Sequence, residues 1–142
     1  MEITIVNKKV NDRGIPLYLD AIKAGFPSPA GDFVDTKLDL QTFLIKHPEA
    51  TFFARVSGDS MIGAGIVPND ILVIDRSIKP RTGLTIVAEI NGEFTVKRLG
   101  ITKEGIELIP ENSNYRNIKI KEGDSFQIWG VVTGVVRKME IT

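Results

Sequence analysis

The sequence predicts a mainly β domain with one short helix, preceded by a flexible N-terminal arm. Three observations carry this. Apolar runs of strand length recur from residue 51 onward, as in Ile71-Leu72-Val73-Ile74-Asp75. Asn91-Gly92 separates two β-rich runs, a strong hairpin signal because both residues tolerate positive φ. Gly25-Phe26-Pro27-Ser28-Pro29-Ala30-Gly31 places prolines and glycines so densely that no regular element can form there.

Residues 1–38 are mixed in character and are read as the arm. Ile3 to Val6 suits a short strand, and Leu17 to Ile22 a brief helix or strand. Asp39 to Lys46 reads as the helix. Asp39 is its N-cap, Leu40, Phe43 and Leu44 share a face, and Pro48 ends it. The β domain is taken as 39–142. Thr51 to Val56 leads into the turn Ser57-Gly58-Asp59-Ser60-Met61. Leu84 to Ile90 and Glu93 to Leu99 flank Asn91-Gly92, so Lys97 stands mid-strand on the returning arm, with Thr95 and Leu99 on its face. Ile106 to Ile109, Ile118 to Ile120 and Phe126 to Arg137 complete the strands. No internal repeat or low-complexity tract is visible.

Composition narrows the function. The 142 residues suffice for one domain with a real core. With 18 basic and 18 acidic residues, the chain lacks the basic excess of a dedicated nucleic-acid binder. Without cysteine it forms no disulfide or thiolate metal site, and one histidine leaves a metal mostly carboxylates. No cofactor is expected. Neither a signal peptide nor an apolar run of about 20 residues is found, so the chain reads as a cytoplasmic protein without a membrane anchor.

A serine hydroxyl needs a base before it attacks. The sole histidine, His47, reads as an exposed helix-end residue. Lysine is the other option. Lowering its pKa from about 10.4 to about 7–8 corresponds to roughly 4 kcal/mol in favour of the neutral amine. Burial among apolar side chains supplies that when no carboxylate is near, and mid-strand Lys97 has the opportunity. Gly58 would let the backbone turn sharply and expose Ser60, and amides in such a turn can hold an oxyanion. Each feature has a plainer reading: a common turn composition, a solvated strand lysine, a linker. No spacing rule joins Ser60 to Lys97, so the residues alone leave their meeting open.

Five stretches in this order are similar to a known family: Ala24-Gly25-Phe26-Pro27-Ser28-Pro29-Ala30, Ser57-Gly58-Asp59-Ser60-Met61, Val73-Ile74-Asp75-Arg76, Phe94-Thr95-Val96-Lys97-Arg98-Leu99 and Ile128-Trp129-Gly130-Val131-Val132. Over nearly its whole length the chain resembles the UmuD-type subunit of the bacterial translesion polymerase, within the LexA-like self-cleaving Ser–Lys peptidases. Two positions depart from the common pattern. Ala24 stands where many UmuD proteins carry cysteine, which keeps a small residue, and Asn69 replaces a frequent glycine.

The resemblance implies a compact LexA-like β fold and the role of each residue. Ser60 would be the nucleophile and Lys97 the base. The amides of Asp59 and Ser60 would form the oxyanion hole, and Ala24–Gly25 would be the bond cut. Phe26 would anchor the segment in an apolar pocket. It also implies a homodimer, cleavage promoted by the RecA filament on single-stranded DNA, and a Y-family polymerase catalytic subunit as partner in SOS mutagenesis. A repressor is disfavoured, because no helix-turn-helix pattern precedes Asp39. The alternatives are a non-catalytic β-rich interaction module, or a phage or plasmid repressor antagonist on the same fold. A signal peptidase would need a membrane anchor.

Overall fold

A computed structural model describes residues 14–18 and 34–141, which fall in two compact units, one ending at Lys46 and one starting at His47. In the first, β1 (Ile15–Tyr18) pairs antiparallel with β2 (Val34–Leu38). Leu17 thus belongs to a strand, and Val34–Leu38 is a strand the sequence reading did not anticipate. Helix α1 (Leu40–Leu44) has Asp39 as its N-cap, whose carboxylate accepts from the Gln41 amide. It stops short of Lys46 because Ile45 already has extended backbone. Ile3 to Val6 and Ala24, Gly25 and Phe26 lie outside the described residues.

The second unit is one antiparallel sheet of seven strands. In spatial order these are β3 (Thr51–Arg55), β4 (Ile71–Asp75), β9 (Phe126–Val136), β5 (Thr85–Ile90), β6 (Glu93–Thr102), β7 (Gly105–Ile109) and β8 (Ile118–Lys119). The β5–β6 hairpin closes through Asn91 and Gly92 at φ 51° and 88°, the conformation those residue types favour. Central β9 carries two bulges. Trp129 is the extra residue opposite Val87–Ala88, and Thr133 opposite Val73–Ile74. Each bulge bends the strand and tightens the twist, so the sheet curls and buries apolar side chains on both faces.

Two cores result. One gathers Val56, Met61, Ile66, Leu72, Ile74 and Val87; the other gathers Ile86, Ala88, Leu99, Leu108 and Val131. Ile86, Val87 and Ala88 alternate between them, as successive strand residues must. The curled sheet brings the loop after β3 against the middle of β6. Among the described residues no helix is long and apolar enough to cross a membrane.

Candidate active site

The turn after β3 is held from both sides. Met61, 1% exposed, plugs into the first core and fixes the turn from below. Burying such a side chain contributes about 2 kcal/mol. A single 3₁₀ turn follows at Ile62–Ala64, ending on Gly65 at φ 83°. From above, the segment after β7 braces the turn. The Glu111 amide donates to Ser60 O at 2.8 Å, and the Gly63 amide donates to Glu111 O at 2.7 Å. Asn112 Nδ2 donates to Asp59 O at 2.9 Å, and the Tyr115 hydroxyl donates to the Asp59 carboxylate. That last bond raises the phenol's pKa, because ionising it would cost the bond and place two negative charges together.

At Gly58 neither backbone conformation nor space demands a glycine. It is not among the glycines with positive φ, and a Cβ built there meets nothing within 4 Å. The residue that must be small is Gly63, whose added Cβ would lie 2.6 Å from Glu111 O. Gly63→Ala therefore has to push the turn off its brace. We expect a loss of about 1–3 kcal/mol, read from the urea midpoint; an unchanged midpoint would mean the brace gives without cost.

Lys97 comes from β6, opposite Ile86, which is fully buried. Its Nζ lies 2.9 Å from Ser60 Oγ and 2.5 Å from Thr95 Oγ1. Lys97 is 7% exposed and Ser60 9%. The hydroxyl is thus buried within the site rather than presented on an exposed turn. Burial lowers the Lys97 pKa from 10.5, by penalising the ammonium. The nearest acid in the turn, Asp59, is engaged by Tyr115 instead. Thr95 was missed as a member of the site, although its place two residues before Lys97 on one strand face was the available signal.

A cleft of about 340 Å³ opens beside the pair. Ala54, Val56, Leu72, Val87 and Val96 give it apolar walls, and Phe94 and Tyr115 stand exposed at it. The amides of Asp59 and Ser60 meet no acceptor among the described residues. The arrangement therefore offers a hydroxyl, an amine biased toward its neutral form, unclaimed N–H groups, and an apolar groove for an extended segment. Among the described residues no cluster of three or more histidine, cysteine or acidic side chains could hold a metal ion.

Two buried carboxylates stand outside this constellation. Asp70, fully buried, receives Arg137 through both carboxylate oxygens at 2.6 and 2.8 Å, and the Val67 amide at 2.9 Å. Arg137 also donates to Gly65 O at 2.8 Å, tying the loop beyond Ser60 to the end of β9. His47 is more than an exposed helix-end residue. Its Nδ1 lies 2.7 Å from Oδ2 of buried Asp75, whose other oxygen takes the Ser77 amide and hydroxyl. Burial alone would raise the Asp75 pKa, but these bonds outweigh it and hold the carboxyl below 3.8.

The Peptidase S24-like family profile matches residues 16–133. Over 127 residues the chain is 44% identical to Protein SamA of Salmonella typhimurium, an alignment covering 89% of this chain and 88% of that protein. Protein MucA of Escherichia coli is 45% identical over 120 residues, 84% of this chain and 82% of its own. The LexA repressor of Paracidovorax citrulli is 37% identical over 123 residues, 87% of this chain but only 54% of the repressor.

Proposed function

The chain belongs to the S24-like peptidase family, in its UmuD-type, LexA-like group, and on that premise we propose that it cuts itself between Ala24 and Gly25. The observation that carries this reading is the buried contact of 2.9 Å between Lys97 Nζ and Ser60 Oγ. A lysine buried without a carboxylate is costly to stability, and a base for Ser60 is what that cost returns.

The neutral amine takes the Ser60 hydroxyl proton as Oγ attacks the Ala24 carbonyl carbon. The Asp59 and Ser60 amides receive the oxyanion. The Lys97 ammonium then gives its proton to the Gly25 nitrogen, which leaves as a free amine. Water attacks the resulting Ser60 ester and gives a proton to Lys97, which passes it to Ser60 Oγ as the ester bond breaks and the Ala24 carboxylate is released. A tethered substrate is present at high effective concentration, so a shallow apolar cleft suffices to hold it. In this proposal Phe26 would anchor the segment there, and Pro27 and Pro29 would favour an extended chain.

We assign the shortened chain to a cytoplasmic homodimer that joins the catalytic subunit of a Y-family polymerase in SOS mutagenesis. The RecA filament on single-stranded DNA would speed cleavage by favouring the docked arm. The test is the mass of the full chain after incubation at alkaline pH, and at neutral pH with and without RecA, ATP and single-stranded DNA. A fragment beginning at Gly25 is expected under alkaline conditions and with the filament. An unchanged mass throughout would leave a non-catalytic β module.

A further inference from the structure

Resting on that reading, we propose that Asn112 is a positioning residue: it aims the Ser60 amide at the oxyanion. A peptide unit is planar, so whatever fixes the direction of Asp59 C=O fixes Ser60 N–H in the opposite direction. Asn112 Nδ2 holds that carbonyl at 2.9 Å. The carbonyl's other donor, the Ile62 amide, is at 3.4 Å and constrains little. Without Asn112 the peptide between Asp59 and Ser60 is free to rock about its flanking torsions, and the N–H swings away from the reacting carbonyl.

Asn112 is itself locked. Its Oδ1 accepts the Asn114 amide at 2.9 Å, which leaves the NH₂ end facing Asp59, and its backbone carbonyl accepts the Tyr115 amide at 3.0 Å. The preceding residue links this support to the base. Glu111 Oε2 receives Arg98 Nε at 2.8 Å, and Arg98 is the neighbour of Lys97 on β6. The segment after β7 thus ties the strand that carries the base to the turn that carries the nucleophile.

The test is the pH profile of self-cleavage in the full chain. Asn112→Ser keeps an acceptor for the Asn114 amide but is too short to reach Asp59 O. It should lower the alkaline plateau about 10- to 100-fold, short of or near the loss of an oxyanion donor, with the pH midpoint unchanged. Asn112→Gln, which retains the donor, should recover part of the rate. A merely structural role would let water reach Lys97 and move the midpoint toward 10.5. The proposal is overturned by a plateau within about twofold of wild type, by a midpoint shift, or by a glutamine variant no faster than serine. Asn112→Thr serves if the serine variant does not fold. Wild type that shows no Lys97-dependent cleavage would instead sink the peptidase reading itself.

Discussion

Lys97→Ala should reduce self-cleavage by about 10³- to 10⁴-fold, at the upper end of what a positioned acid–base group contributes. The size follows from the proposal that Lys97 serves twice, as base for Ser60 and as acid for the leaving nitrogen. Ser60→Ala should cost as much, and the double variant no more than either alone, because the two groups act as a unit. Lys97→Arg should be equally inactive despite its similar length, since a guanidinium stays protonated throughout. Only the free amine is competent, so the wild-type rate should rise with pH and level off below 10.5, the burial-lowered pKa setting where. A rate flat from about pH 7 to 10 would remove lysine as the base.

The same amine has a signature in stability. Its pKa is lowered in the fold, so between that lowered value and 10.5 the unfolded chain holds an extra proton, and this group's contribution to stability rises with pH across the window. Below the window the fold carries the full cost of burying a charge. Lys97→Met should therefore be inactive yet raise the urea midpoint at neutral pH, the usual trade between a catalytic group and stability.

The sheet was legible because local signals agree with the global fold. Apolar runs mark β4 and β5, and Asn91-Gly92 fixes the hairpin that sets Lys97 mid-strand. Strand β2 was not legible, since Val34-Asp35-Thr36-Lys37-Leu38 alternates too weakly to stand out of a polar arm. The meeting of Ser60 and Lys97 was not legible from residues alone, because it depends on how far the bulges at Trp129 and Thr133 curl the sheet. The brace was hidden for another reason. Glu111 and Asn112 support the turn largely through backbone groups and one carboxamide, and in sequence they read only as a polar turn after Pro110. His47 and Asp75 were both visible, but nothing in the order of the chain joins the start of β3 to the end of β4.

Arg137→Ala should lower the urea midpoint near neutral pH by more than the loss of an ordinary surface ion pair would, because it leaves the buried Asp70 carboxylate without its partner. Surface ion pairs rarely matter this much. This one does because its acid is fully buried and its Arg137 bonds, opposed by burial and aided by the Val67 amide, hold the Asp70 carboxyl at about 2. The folded value lies below the ordinary 3.8, so this stabilisation is complete above pH 3.8 and is lost as pH falls toward about 2. The penalty of Arg137→Ala, measured by urea denaturation, should accordingly shrink in acid, where Asp70 is neutral in either protein. Removing both partners should cost less than removing one. Asp70→Leu with Arg137→Met leaves no buried charge behind, so that double variant should be more stable than Arg137→Ala alone. Should the two single variants and the double prove equal, the pair's energy does not reside in the buried carboxylate. Arg137 also holds Gly65 O, and Asp70 holds the Val67 amide, so the loop that follows Ser60 hangs on this pair. Arg137→Ala should then slow cleavage even well below its melting temperature, by letting that loop open locally.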